Sequence, residues 1–310
     1  MEQALLYAAT LGTLAGIYGV LALGLNLQWG LTGLMNFGGL GFVAVGAYTA
    51  ALLTAPPSPT HLGGFGVPWW LAWPASACAS ALLALPIGAI ALRLRADYLA
   101  IATIGIAEIV RLVVRNEDWL TGGPLGVTAI PRPFESLGTP LGQIAFLLLV
   151  GAVLSLLFAA AQAAAKSPFG RALRALRDDE EAAKAAGKNP ARLRLHAFLL
   201  GAAFMGVGGA MMTAFFKFIG PDALEPVTVT FLVWVMLIAG GSGNNWGAVA
   251  GAVAVWAIWA ATDWLAAQLP GEAATRAAYV RLFLIGLALQ VILIARPEGL
   301  IGERVGSTQR

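Results

Sequence analysis

The chain has 310 residues, of which 59% are hydrophobic and 11% are charged. Since soluble domains have about 45–50% apolar and ~25% charged residues, this composition excludes a soluble globular protein and indicates a polytopic membrane protein. The net charge of +3 comes with no basic stripe interleaved with aromatic residues, which argues against nucleic-acid binding. The single cysteine, Cys78, excludes a disulfide within the chain and leaves no cysteine metal site.

The first two predicted spans differ in glycine content. Residues 5–25 form an apolar run that ends at Asn26, and no basic residue precedes it, so we expect a membrane span and not a cleaved signal peptide. The second span, residues 31–53, contains Gly33, Gly38, Gly39, Gly41 and Gly46, with Asn36 beside them. A segment so rich in glycine forms a weak helix. It predicts either a close helix–helix contact or a broken helix that lines a pathway, in which the freed backbone groups face protein or water.

The next loop and span supply an orientation. Residues 55–68 contain no Asp, Glu, Lys or Arg, which favours a periplasmic loop. The span predicted over residues 69–91 begins with an interfacial aromatic belt of Trp69, Trp70 and Trp73. Arg93 and Arg95 follow this span, and we expect them in the cytoplasm.

Residues 97–115 contain the most informative charges within a predicted span. Glu108, Arg111 and Arg115 are spaced by three and four positions, so they share one face of a helix. Charges at such a depth usually face a bundle interior or a watery cavity. Two interpretations stay open here, a structural Glu108–Arg111 ion pair near the outer edge and a polar face of a translocation path.

A dense polar block, residues 167–196, follows the span predicted over residues 141–165. It contains four consecutive acids, from Asp178 to Glu181. Its basic residues are Arg171, Arg174, Arg177, Lys184, Lys188, Arg192 and Arg194. So many charges cannot lie in hydrocarbon, and the basic excess predicts a cytoplasmic loop.

Capping residues divide the polar block into three helices. Ser167 is a good N-cap before Pro168, and Asp178 or Asp179 can cap a second short helix. That helix has a small, smooth surface made by Ala182, Ala183, Ala185 and Ala186, and Gly187 is placed to end it. Asn189-Pro190 then begins a third helix. A rigid helix with an alanine surface suits a groove on another protein, and the alternative is an ordinary solvated loop.

The remaining spans are predicted over residues 197–218, 227–239, 248–265 and 279–294. The glycine-rich turn between the second and third of these lacks the GK[ST] ending of a phosphate-binding loop. Alternation places Arg93, Arg95, the polar block, Arg296, Arg304 and Arg310 inside, with the N-terminus outside. We therefore predict an all-α, multi-pass protein with about nine (8–10) transmembrane helices, some Gly-broken or re-entrant. Residues 1–310 form a single transmembrane domain without a separable soluble part.

The residue pattern does not support an enzyme. The predicted spans contain no His/Cys cluster, paired carboxylates or Ser/His/Asp set, and His61 and His196 fall in loops or at span ends. A proton-coupled carrier needs buried relay groups, for which Glu108 is the one candidate. Without a nucleotide-binding motif in the chain, a passive channel and a permease driven by separate ATPase subunits remain.

Several motifs together favour the permease. The run EEAAKAAG resembles the EAA-type loop of bacterial ABC importer permeases, whose coupling helix docks on the ATPase. SPFGRALRALRDDE, NFGGLGFVAVGAYTAALL, and DYLAIATIGIAEIVRLVV followed by LTGGPLGVTAIPRP resemble permeases of the branched-chain amino acid importers, in particular the LivM type. The ending ARPEGLIG also resembles this type, and the resemblance covers about residues 24–302.

The resemblance assigns roles to two groups of residues. It implies ATPase coupling by Arg174, Asp179, Glu180, Glu181, Ala182, Ala183, Ala186 and Gly187. For the translocation pathway we expect Asn36, Phe37, Gly38, Gly41, Thr103, Glu108, Thr121, Gly122 and Gly123. No metal site and no catalytic residue are expected.

The resemblance also implies an assembly in the bacterial cytoplasmic (inner) membrane. The expected partners are a LivH-like permease, two ABC ATPase subunits that hold ATP-Mg, and a periplasmic or extracellular substrate-binding protein that docks near residues 121–131. No cofactor is expected in this chain itself. The implied substrates are leucine, isoleucine, valine or related amino acids. Urea or short amides are the alternative substrates, and a secondary carrier or a structural membrane subunit is the alternative class.

Overall fold

A computed structural model describes residues 2–59, 61–92, 94, 96–266, 272–296 and 298–303. Across these residues the fold is all-helical, as predicted, and the only pairing of extended backbone described is an isolated antiparallel bridge between Val127 and Ile219. The residues predicted to be cytoplasmic at Arg93, Arg95, Arg304 and Arg310 lie outside the described part of the chain.

The helices before the polar block are α1 Glu2–Leu25, α2 Gly39–Thr54, α3 Trp69–Ala91, α4 Ala96–Asn116, α5 Asp118–Thr121 and α6 Leu141–Lys166. The helices from the polar block onward are α7 Pro168–Asp178, α8 Glu180–Ala185, α9 Pro190–Phe216, α10 Leu232–Gly240, α11 Asn245–Ala266 and α12 Glu272–Ala295. A π-helical turn, Asn26–Gly30, extends α1, and another, Val227–Phe231, precedes α10. Short 3₁₀ turns occur at Gly123–Leu125, Glu135–Leu137 and Pro221–Ala223.

Five helical segments in the described chain are long and apolar enough to cross a membrane. They are Ala4–Gly30, Trp69–Ala91, Leu141–Lys166, Pro190–Phe216 and Asn245–Thr262. Shorter apolar helices occur at Gly39–Thr54, Thr228–Gly240 and Phe283–Ala295. Helix α4 belongs to neither group and carries Asp97, Glu108, Arg111 and Arg115. The multi-pass architecture is therefore supported, while the count of about nine spans stays a prediction.

Helices α1 and α9 form the centre of the bundle. Helix α9 packs on α1, α2 and α3, and α1 also contacts α6 and α11. Glycines permit close crossings of α9 with α1 and α2: a Cβ on Gly24 would lie 2.8 Å from the Gly201 carbonyl oxygen, and one on Gly46 would lie 2.2 Å from that of Gly206. The close-contact interpretation of the second predicted span is thus correct for Gly46.

The same predicted span is also broken. Residues 33–38 are not helical, and α2 begins only at Gly39. Gly33 has a φ of 72°, a left-handed conformation that glycine adopts without a Cβ penalty. The predicted break is therefore present and precedes the close-packed part of α2, while the lining of a pathway by this segment stays a prediction.

Candidate functional site

Local side chains cap the three helices of the polar block. The Ser167 hydroxyl accepts a hydrogen bond from the Gly170 N–H at 3.3 Å, at the start of α7. The Asp179 carboxylate accepts from the N–H groups of Glu181 and Ala182, each at 3.0 Å, at the start of α8. Asn189 caps α9 in the same way. The predicted caps are confirmed, and of the two candidate acids Asp179 is the one that caps α8.

Gly187 ends α8, as predicted. Its φ is 74°, and its N–H donates to the Lys184 carbonyl at 2.9 Å. The Lys188 N–H reaches further back, to the Ala183 carbonyl at 3.1 Å. These two bonds form a Schellman motif, which satisfies carbonyls at the end of a helix and requires a left-handed residue. The helix therefore ends at Gly187, where the chain turns towards α9.

Helices α7 and α8 each bury one face against the rest of the chain and expose the other face. Leu173, Leu176 and Ala183 are buried against the rest of the chain. Glu181, Ala182 and residues 184–187 are exposed. An exposed alanine surface on a capped helix is available to another protein, whereas Ala183 seats α8 on the bundle.

Glu180 connects α8 to α9. Its carboxylate lies 2.7 Å from Arg194 Nη2 and 3.1 Å from Lys184 Nζ, and Lys184 also lies 2.8 Å from Glu181. Burial raises the pKa of Glu180, but the hydrogen bonds from Lys184 and Arg194 outweigh this, and the pKa lies below its ordinary value of 4.5. The ionised form therefore stabilises the seating of α8.

We expect acid to loosen α8. The pKa of Glu180 is lower in the folded state than its ordinary value of 4.5. Its ionised carboxylate therefore stabilises the seating of α8 in full above about pH 4.5, and this stabilisation is lost as the pH falls through the folded-state pKa. Hydrogen exchange of residues 183–188, corrected for intrinsic rates, should lose protection over that window. The loss should be smaller in Glu180→Gln and unchanged in Glu225→Gln, which alters an exposed acid outside the polar block. Equal acid sensitivity of wild type and Glu180→Gln would contradict this role.

Asn36 organises the break between α1 and α2. Its side chain is fully buried, donates to Gln28 Oε1 at 2.6 Å and accepts from the Gly38 N–H at 2.8 Å. Gln28 in turn donates to the Phe198 carbonyl of α9 at 2.8 Å. The Asn36 carbonyl accepts from Trp234 Nε1 of α10 at 3.2 Å. Backbone freed by the break is thus satisfied by protein groups, as a non-helical segment at membrane depth requires.

Thr103 and the aromatic residues enclose the same break. The Thr103 hydroxyl of α4 accepts from the Phe37 N–H at 3.1 Å. The Phe37 ring stacks on Trp234 with centroids 4.5 Å apart, and its centroid lies 6.1 Å from that of Phe231. Helices α4 and α10 therefore hold the broken segment from two sides.

Small cavities surround this cluster. Two of about 10 Å³ are lined in part by Asn36, and Gly38, Gly41 and Thr103 line the second of them. A third, of about 50 Å³, lies against Phe37 and Glu108. All three are far below the roughly 300 Å³ of a small ligand pocket. The structure thus brings Asn36 and its predicted pathway neighbours together in a closed arrangement.

Glu108 and Arg111 form the ion pair that their spacing predicts. Arg111 Nε lies 2.9 Å from Glu108 Oε2, and Nη2 lies 2.5 Å from Oε1. The Glu108 side chain is 42% exposed. The predicted ion pair is therefore present. Glu108 also borders the cavity beside Phe37, and its role in a translocation path stays a prediction.

Thr121, Gly122 and Gly123 lie apart from the Asn36 cluster and line none of its three cavities. The buried Thr121 hydroxyl donates to the Val114 carbonyl at 2.6 Å. A Cβ on Gly123 would lie 1.8 Å from Asp118 Oδ1. In this structure these residues form the tight turn after α5, and their pathway role stays a prediction.

Sequence reasoning missed several polar residues at this site. Asn26, which is fully buried, donates to Asn245 Oδ1 at 2.8 Å and accepts from the Gly243 N–H at 2.8 Å. Gln28 holds Asn36, and Arg177 reaches the Gly30 carbonyl and Glu303. Asn26 and Gln28 are polar residues at the end of an apolar run, and this was the available signal. The partners of Arg177 are too distant in sequence to be inferred from it.

A multi-pass helical bundle with a break inside an apolar helix defines an integral membrane protein, and such broken helices are common in transporters. Residues 7–293 match the family described as "Branched-chain amino acid transport system / permease component". The chain therefore belongs to this family of transport permeases.

Its curated relatives carry LivM names. "High-affinity branched-chain amino acid transport system permease protein LivM" of Salmonella typhimurium and that of Escherichia coli K12 are each 35% identical over 266 residues, 78% of this chain and 60% of the relative. The chain thus spans three fifths of their length. A "Probable branched-chain amino acid transport permease protein LivM" of Methanocaldococcus jannaschii is 26% identical over 326 residues, 93% of this chain and 91% of the relative. No solved structure matches. The predicted likeness to LivM-type permeases is confirmed.

Proposed function

We propose that this chain is the transmembrane permease subunit of an ABC importer that moves branched-chain amino acids or related amino acids inward. The observation that carries the proposal is the capped helix α8, which is seated by Ala183 and exposes Glu181 and its alanines. Family membership and the LivM names of the relatives support the substrate class.

In this proposal the energy comes from ATP-Mg bound to two separate ATPase subunits. Their closure moves α8 as a lever on the cytoplasmic side of the inner membrane. A LivH-like permease completes the translocation path, and a binding protein delivers the solute outside. The buried break at Asn36 is the part of this chain that rearranges, because non-helical backbone has fewer hydrogen bonds to break than a continuous helix.

The test is ATP-driven uptake of labelled leucine in proteoliposomes that contain the chain, its permease partner, both ATPases and the binding protein. Glu181→Lys reverses an exposed charge on α8, and Gly187→Pro cannot adopt the left-handed φ of 74°. We expect both variants to insert normally but to lose ATPase association and uptake. Glu225→Lys, the same charge reversal outside the polar block, should keep ATPase association.

Two results would contradict the proposal. Uptake without ATPases would indicate a carrier or a channel. Normal ATPase association in both α8 variants would exclude the coupling role of the helix. Labelled urea in place of leucine separates the substrate alternatives in the same vesicles.

A further inference from the structure

Arg177 lies in the last turn of α7 and contacts two other parts of the chain at once. Its Nη1 donates to the Gly30 carbonyl, and its Nη2 lies 2.8 Å from Glu303 Oε2. The side chain is 26% exposed. Within the polar block it also pairs with Asp178, from Nε to Oδ1 at 3.2 Å. One guanidinium thus connects the polar block to the end of α1 and to the C-terminal segment.

The Gly30 contact leads directly to the broken segment. Gly30 is the last residue of the π-helical turn that extends α1, and the non-helical residues 33–38 begin three positions later. Gln28, in the same turn, holds the Asn36 side chain. A displacement of Gly30 therefore reaches the Asn36 cluster through a short stretch of backbone, in which the Gly33 and Leu34 N–H groups bond back to the carbonyls of Trp29 and Gln28.

The Glu303 contact leads to the turn between α10 and α11. The Leu300 and Ile301 N–H groups donate to the carbonyls of Ala239 and Gly240, at 2.9 and 2.8 Å. Asn244 Nδ2 donates to the Gly302 carbonyl at 3.0 Å. The segment that carries Glu303 is thereby fixed to the end of α10, the helix whose Trp234 contacts Asn36.

We propose that Arg177 is the positioning residue that transmits movement of the polar block to the broken segment, by holding the Gly30 carbonyl and Glu303 together. This inference rests on the proposed importer function. A planar guanidinium can serve two acceptors in fixed directions, whereas the ammonium of lysine is a single point charge. Movement of α7 that separates these acceptors breaks one contact, so the two positions of the block differ in free energy.

Water can replace Arg177 without loss of the fold. An open groove of about 880 Å³ lies beside it and is lined by Lys166, Arg174, Arg177 and Glu303, among others. Arg177 and Glu303 both line this groove, so water can enter the space that the guanidinium leaves and solvate the Glu303 carboxylate. Partly exposed ion pairs also contribute little to stability. Removal of Arg177 should therefore change coupling and leave stability nearly unchanged.

The experiment uses the assembled transporter in proteoliposomes and measures leucine uptake per ATP hydrolysed. In Arg177→Gln we expect normal ATPase association, retained hydrolysis and a ratio about tenfold lower, within the about 5–150-fold range of couplings between sites. Arg177→Lys should lose less, because it keeps one contact. The control is Arg171→Gln on the same helix, whose exposed side chain contacts, among the described residues, the Lys166 carbonyl alone. Its ratio should stay at the wild-type value.

Exchanging the two charges tests whether Arg177 acts through its ion pair with Glu303 alone or by holding both Glu303 and the Gly30 carbonyl. Arg177→Glu with Glu303→Arg restores the pair but cannot donate to the Gly30 carbonyl, so the low ratio should persist. Rescue by the swap, a wild-type ratio in Arg177→Gln, or a parallel fall in melting temperature and uptake would each overturn the inference.

A conformational readout distinguishes failure of this inference from failure of the proposed function. In a Cys78→Ser background, which removes the chain's single cysteine, Phe37→Cys reports thiol labelling at the broken segment. ATPase and ATP should change the labelling rate with Arg177 present and leave it unchanged in Arg177→Gln. If the rate changes equally in both, the inference fails even where uptake is normal. If wild-type vesicles show no ATP-driven uptake but ATP-dependent labelling requires Arg177, leucine import fails as the function, whereas the movement driven by the ATPase and its transmission through Arg177 stand.

Discussion

Gly46→Ala should destabilise the bundle severely, and Gly46→Leu should leave no folded protein after extraction into detergent. An added Cβ would lie 2.2 Å from the Gly206 carbonyl oxygen and 2.4 Å from its Cα. These are backbone atoms of α9, so no side chain can rotate away and the helices must separate. Overpacking costs about 1–3 kcal/mol and sometimes more, and we expect Gly46→Ala to fall at about 3 kcal/mol or above. Thermal unfolding of the purified protein in micelles measures this loss.

Gly151→Ala is the matched control. Gly151 also lies within a helix, α6, but a Cβ there would meet no atom of the described residues within 4 Å. Alanine is favoured over glycine in a helix by roughly 0.5–1 kcal/mol, so this substitution should raise the melting temperature slightly. If both alanine variants unfold like wild type, α2 and α9 do not cross at these glycines.

The parts of this structure that depend on neighbouring residues could be predicted from the sequence. Asp179 caps α8 through N–H groups two and three positions later, and Gly187 ends it through bonds three and five positions apart. Such short-range geometry is fixed by residue type and spacing. The Glu108–Arg111 pair belongs to the same class, because one helical turn separates the two residues.

Contacts between distant segments could not be predicted in this way. Asn36 was visible as a polar residue in a glycine-rich stretch, but its contact with Trp234 depends on how α10 packs. Gly30 and Arg177 are 147 positions apart, and no local pattern connects them. Thr121 shows the converse problem, since a Thr-Gly-Gly sequence suits a pathway loop and a tight turn equally well.

The number of membrane spans could not be predicted from the sequence for a related physical reason. Hydropathy identifies long apolar helices, and five were found in the described chain. It does not separate a short span from a re-entrant one, and α2 and α10 are short because a break or a π-turn precedes them. Helix α4 is ambiguous for another reason, since its charges lower its hydropathy while its ion pair reduces their cost.

Replacing a polar residue with an apolar one should destabilise the protein most at the Asn36 cluster. Asn36→Leu keeps the approximate volume of the side chain but leaves Gln28 Oε1 and the Gly38 N–H without their partner in a buried setting. An unsatisfied buried group costs about 1–3 kcal/mol, and hydrogen bonds between membrane helices average about 0.6 with a maximum near 1.7 kcal/mol. Since two bonds are lost, we expect a destabilisation of about 2–3 kcal/mol. Unfolding in mixed micelles measures it.

Asn116→Leu provides the comparison. The exposed Asn116 side chain at the end of α4 donates to the Leu112 carbonyl of its own helix and to no other group in the described part of the chain. It should change the free energy of unfolding by less than about 0.5 kcal/mol, as surface substitutions usually do. Equal effects of the two leucine variants would contradict the central place of Asn36. A large loss confined to Asn36→Leu, with uptake falling further than the folded fraction explains, would connect the hydrogen-bonded break to transport. A transport loss of that kind follows from the geometry. Asn36 holds Gln28, which lies in the π-turn that Arg177 contacts. It also holds the backbone that positions Phe37 at the cavity with Glu108.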